Sequence, residues 1–157
     1  MNKAAVIQKI LEVLRSELET YVRAAKFSHA EATAEENRAE NKYDTRGLEA
    51  SYLAAGQANK VAELESALET FEGLKEQPAS DVVEIGSLIE LQQDGFVEWY
   101  FIGPTAGGTE IEIDDTEVLV ITPESPLGSQ IMGLEAGAKV SLELGGRKQK
   151  AIVGSVS

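Results

Sequence analysis

The chain has no cysteine and a single histidine, His29. Disulfides, thiolate metal sites and thiol nucleophiles are therefore excluded, and Ser125 and Ser129 have no imidazole beside them in the sequence for triad chemistry. No run approaches the roughly 18 apolar residues of a membrane span, and the N-terminus lacks the continuous apolar stretch of a secretory signal. The expectation is a cytoplasmic chain with no membrane partner. Basic residues are missing over a long interval, with no Lys or Arg between Lys75 and Lys139. Formal charge is -13, and it is unevenly spread: residues 1 to 77 hold 14 acidic and 10 basic side chains, residues 78 to 157 hold 13 and 4. Binding free DNA or RNA draws on Lys and Arg displacing counterions from phosphate, so independent nucleic-acid binding is not expected. RNA would be met only inside a complex that another protein holds; otherwise the acidity serves solubility alone.

What is present divides in two. Ile7, Leu11, Leu14, Leu18, Tyr21 and Ala25 recur at alternating steps of four and three, and so do Ala50, Ala54, Gln57, Val61, Leu64, Leu68 and Phe71. That spacing is the seam two α-helices bury against each other. No Gly or Pro interrupts the chain before Gly47, and Ala, Glu, Leu and Arg, good helix formers, are abundant. The seam is bulky up to Tyr21 and Ala-rich beyond it, whereas the second segment starts with Ala and ends bulky, so like matches like only if the helices are antiparallel. Pairing Leu18 with Leu68, Tyr21 with Leu64 and Ala25 with Val61 centres the bend near residue 43; slipping by one heptad centres it near 40. Gly47, free to adopt positive φ, favours a bend over residues 42 to 49. Each arm of about 30 residues would be on the order of 45 Å long.

Gly73, Pro78 and Ser80 mark a linker, which puts a coiled-coil hairpin at 1–77, its tip near 40–49, and a second domain at 78–157. There, β-rich runs at 82 to 91, 96 to 102, 110 to 113, 117 to 122, 139 to 144 and 148 to 156 alternate with the turn pairs Asp94-Gly95, Gly107-Gly108 and Gly145-Gly146. Residues 125 to 132 supply one short helix, with Pro126 in its first turn and Gly133 just past its end. The fold class is α+β, a helical hairpin followed by a small antiparallel sheet packed on one helix. Catalytic machinery is absent, so the chain is not expected to be an enzyme by itself. The acidic residues near the bend, Glu35, Glu36, Glu40, Asp44 and Glu49, are either a solvated tip or carboxylates carried to a metal elsewhere.

With an N-terminal hairpin, the Ile85-Gly86-Ser87 turn, the Val118-Leu119-Val120-Ile121 strand, then Ser125-Pro126-Leu127-Gly128, Ile131, Gly133, Gly137 and Val140, the chain resembles the bacterial Gre transcript-cleavage factors along nearly its whole length. Ala50, Tyr52, Ala54 and Ala55 are similar to that family's second helix. The resemblance implies an FKBP-like β domain that docks on core RNA polymerase while the coiled coil enters the secondary channel. It implies Ser125, Pro126, Leu127, Gly128, Ile131 and Gly133 as the polymerase-binding segment. It also implies that tip carboxylates, Asp44 first with Glu40 or Glu49 as partner, assist cleavage of backtracked RNA by ligating Mg2+ held jointly with the polymerase; the chain has no cofactor of its own. Asp44 and Glu40 are the metal-ligand candidates. The family's tip places an Asp three residues before a Glu-Asn pair. Here Asn37-Arg38-Ala39-Glu40-Asn41 keeps the Glu and Asn without the Asp, while Asp44 and Glu49 are five apart. A factor of this family that inhibits polymerase without cleavage remains the alternative.

Overall fold

The computed structural model describes residues 1–33 and 46–157. Helix α1 (Lys3–Thr33) starts behind Asn2, whose Oδ1 accepts from the backbone N–H of Ala4 at 2.9 Å and of Ala5 at 3.3 Å, satisfying two donors left open at a helix start. Helix α2 (Arg46–Gly73) runs on into a 3-10 turn at Leu74–Glu76, and the chain becomes extended at Gln77, the residue before Pro78. Since α2 opens at Arg46, Gly47 is helical, and residues 46 to 49 belong to the helix instead of the expected bend. Lys42, Tyr43, Asp44 and Thr45 lie outside the described residues.

By its contacts the chain divides into two compact units, Met1–Leu11 with Thr70–Ser157, and Glu12–Glu69. Helix α1 begins in the sheet unit and continues in the helical one, and α2 begins in the helical unit and ends in the sheet one. Within the helical unit Leu14, Leu64 and Ala67 are buried, Leu18, Tyr21, Val61 and Leu68 half-buried. The Lys60 ammonium stands 5.9 Å from the centre of the Tyr21 ring, close enough for a cation–π contact. Burial thins toward the C-terminal end of α1, where Phe27 is 71% exposed.

The sheet unit carries β1 (Leu88–Gln93), β2 (Phe96–Ile102), β3 (Glu110–Ile113), β4 (Thr116–Ile121), the single-turn α3 (Gly128–Ile131), β5 (Lys139–Leu144) and β6 (Arg147–Val156). They form one sheet in the order β3-β4-β2-β1-β6-β5. Every pair is antiparallel except β2 with β4, which is parallel, so the sheet is mixed where an antiparallel one was expected. The stretch from Gly103 to Asp115, β3 included, is the crossover that a parallel pair needs.

Three two-residue hairpins hold the register: Asp94-Gly95, Asp114-Asp115 and Gly145-Gly146, all six residues at positive φ as a type I′ turn demands. The apolar run at 82 to 91, expected as one strand, is cut in two. Gly86 at φ +92 passes so close to Gln77 that a Cβ there would lie 1.8 Å from Gln77 Oε1. Val82 makes only an isolated bridge to Glu135, and the strand proper begins at Leu88.

Alternation along the strands gives the sheet two buried faces. Ile89, Leu91, Ile102, Ile121, Leu142, Ala151 and Val153 form one core with Leu127 and Ile131 of the α3 segment. From the opposite face Phe101 meets the end of α2, its ring 6.1 Å from that of Phe71. Gly103 allows that approach, since a Cβ there would lie 3.0 Å from Phe71 and 2.8 Å from Val120.

Candidate functional site

The segment around α3 is built by one hydroxyl. Ser125 Oγ donates to the Thr122 carbonyl at 2.7 Å and accepts from the Gly128 N–H at 3.0 Å, closing a tight turn after β4. Position 128 must be glycine in this turn, because a Cβ would lie 2.0 Å from the Thr122 carbonyl oxygen. The Ser129 N–H donates to the Ser125 carbonyl at 2.9 Å and that of Met132 to Gly128 at 3.0 Å. Gly133, at φ +78, then donates to the Val83 carbonyl at 2.8 Å and fastens the segment to the chain ahead of β1.

Of the candidate docking residues, Leu127, Gly128 and Ile131 are buried, and both apolar side chains belong to the core. They shape the segment from beneath. Its accessible side is formed by Pro126, Ser129 and Gly133, with Ser125 half-buried. Gln130 lies against the neighbouring edge strand. Its carboxamide donates to the Glu143 carbonyl at 3.0 Å and accepts from the Glu143 N–H at 2.7 Å, as a paired strand would.

Asp44 and Glu40, the candidate metal ligands, lie outside the described residues. Glu49 is in the first turn of α2, and its side chain is likewise outside what is described. Among the described residues no group of three or more His, Asp or Glu side chains is placed to hold a metal ion. No helix among them is long and apolar enough to cross a membrane.

Two concavities lie outside the residues singled out from sequence. An acidic one of about 660 Å3 is lined by Glu98, Glu110, Glu112, Asp115 and Glu117, with Trp99 and Tyr100. The Tyr100 hydroxyl donates to Glu98 Oε2 at 3.0 Å; burial first, then that carboxylate, pushes the phenol up to about 12. A groove of about 720 Å3 runs beside the Asp94-Gly95 hairpin, lined by Gln92, Phe96, Val97, Lys139, Lys150 and Ile152 among others. Its one local sequence signal is an Asp-Gly turn followed directly by two large apolar residues.

No family model matches the chain, and no curated protein matches it. Among solved structures it is similar to GreA factor homolog 1 (Gfh1) of Thermus thermophilus, with 19% identity over 98% of this chain and 94% of that one and a TM-score of 0.39. It is similar to Gfh1 of Thermus aquaticus, with 20% identity over 99% and 96% and a TM-score of 0.40. The prokaryotic transcription elongation factor GreA/GreB from Nitrosomonas europaea shares 19% identity over 61% of this chain and 90% of that one, at a TM-score of 0.34.

Proposed function

We propose that the chain is a Gre-type transcription elongation factor that binds core RNA polymerase and works through its secondary channel, without catalytic activity of its own. The observation that supports this reading is the union, in one chain, of two long helices with a sheet unit whose Ser125-Pro126-Leu127-Gly128 turn is held by Ser125 and requires glycine at 128. In this reading Pro126, Ser129 and Gly133 meet the polymerase, while the arm carries Asp44 with Glu40 or Glu49 toward the catalytic centre. Magnesium commonly takes only one or two protein carboxylates, so these residues would bind and orient an ion held jointly with the polymerase, which supplies charge stabilisation for cleavage of backtracked RNA.

The test is to add the purified chain to backtracked elongation complexes and follow RNA length. Shortened RNA is expected. Asp44→Asn removes a charge at nearly constant size and should lower cleavage severalfold while leaving polymerase binding nearly intact. Wild-type cleavage by Asp44→Asn, Glu40→Gln and Glu49→Gln alike would end the metal-delivery mechanism. The tip departs from the Gre pattern at Asn37, which favours a second reading, occupation of the channel without cleavage. Slowed elongation with no shortened RNA from the wild type would establish it.

A further inference from the structure

We propose that the groove beside the Asp94-Gly95 hairpin docks an acidic, amphipathic segment of a partner protein. The inference does not depend on the Gre reading, and the groove shares no residue with the segment at 125 to 133.

The strand register lays Val97, Gln92, Ile152 and Lys139 in one row across β2, β1, β6 and β5. In that row Val97 is 54% and Ile152 38% exposed, while Phe96, 74% exposed, follows the hairpin turn at the alternate position of β2. Exposed apolar side chains that one row sets on either side of Gln92 mark an interaction surface better than scattered single residues do.

Charge says what kind of partner fits. Residues 78 to 138 carry twelve acidic side chains and no basic one, whereas the β5–β6 hairpin holds all four basic residues of 78 to 157, Lys139, Arg147, Lys148 and Lys150. Lys139 and Lys150 line the groove itself. None of the four forms an ion pair with a described residue, although carboxylates abound in the sheet unit. Lysines gathered beside exposed apolar side chains complement a segment that alternates carboxylates with apolar residues.

The wall of the groove is polypeptide-specific as well. β5 is an edge strand, and Gln130 occupies the outward N–H and carbonyl of Glu143. In an antiparallel ladder alternate residues point their backbone groups the same way, so those of Lys139 and Ser141 also face outward, with no backbone partner. An extended peptide can bond to them, a mode of recognition nucleic acid lacks. A long polyanion would also meet the surrounding carboxylates, and a second copy seated symmetrically would bring lysine against lysine.

The test uses the 15N-labelled full chain titrated with a ten-residue peptide alternating Glu and Leu, the same peptide with Lys for Glu, and a ten-nucleotide oligothymidine. The Glu-Leu peptide should shift amides of residues 92 to 97, 139 to 141 and 150 to 152. Its affinity should fall at least tenfold in the folded Lys139→Glu/Lys150→Glu double variant, and severalfold in Val97→Ala. Equal binding of the Lys-Leu peptide, shifts confined to other residues, oligothymidine binding at the groove, groove shifts caused by dilution-dependent self-association, or no binding at millimolar peptide would each overturn the proposal.

Discussion

Replacing Gly128 by alanine tests whether the turn after β4 is held by geometry. The new Cβ would fall 2.0 Å from the Thr122 carbonyl oxygen and 2.8 Å from Ser125 Oγ, far inside any normal contact, and the first obstacle is backbone that cannot swing away. Relief requires the turn to open, which breaks the Ser125 bonds to the Thr122 carbonyl and from the Gly128 N–H. Two hydrogen bonds at about 1 kcal/mol each, with strain of similar size where the turn cannot fully open, give a loss on the order of 2–4 kcal/mol. For a chain of this size that lowers the thermal midpoint by roughly 4 to 16 °C. Ser125→Ala removes the same two bonds without adding a clash, and should cost about 1–2 kcal/mol. Trp99 is the only tryptophan and lies in β2, so its fluorescence reports the sheet unit apart from the helices. A Gly128→Ala protein that melts at the wild-type midpoint would refute the argument; so would a Ser125→Ala variant that suffers more than Gly128→Ala.

Three further perturbations probe the same unit. Phe71→Ala empties a fully buried site against Phe101 and should cost about 3–5 kcal/mol in urea unfolding followed by Trp99 fluorescence; a loss under 1 kcal/mol would mean that the end of α2 is not part of the sheet's core. Tyr100 stays protonated in the fold up to about 12 while an unfolded tyrosine ionises near 10, so the unfolded state binds fewer protons between these values. Stability should therefore fall as pH rises from about 10 to about 12 and be unaffected by this group below that window. Glu98→Gln should move the phenol's absorbance titration downward yet leave it above 10, since burial is the larger cause; an unmoved titration would show that the carboxylate has no part in it.

Local chemistry made much of the fold legible. Asp94-Gly95 and Gly145-Gly146 announce their hairpins because glycine adopts positive φ without strain, whereas Asp114-Asp115 performs the same turn with residues that carry no such signature. The break at Gly86 is hidden by β-forming residues on both sides, Val82, Val83 and Ile85 before it and Leu88, Ile89 and Leu91 after, and its cause, the approach of Gln77, is a tertiary contact. A heptad pattern also cannot tell a helix partner from a sheet. Ile7 and Leu11 sit on the same seam as Leu14, yet they belong to the unit that contains the sheet. The α3 segment stood out by its residue types, but a single helical turn has too little periodicity to separate the buried Leu127 and Ile131 from the exposed Pro126 and Ser129. The groove depends on the register of four strands and on a concentration of lysine that matters only once β5 and β6 lie beside β1.

The division of the chain makes the helical unit an excursion from a domain that begins and resumes on either side of it, at Leu11 and Thr70. Closing a longer or shorter loop changes the entropy of assembly only slowly, by about 0.6 kcal/mol for each doubling of length. Arm length is thus nearly a free variable in evolution. Paired insertions or deletions of whole heptads in α1 and α2 can lengthen or shorten the helical unit by about 10 Å at a time while the residues of the sheet unit stay the same.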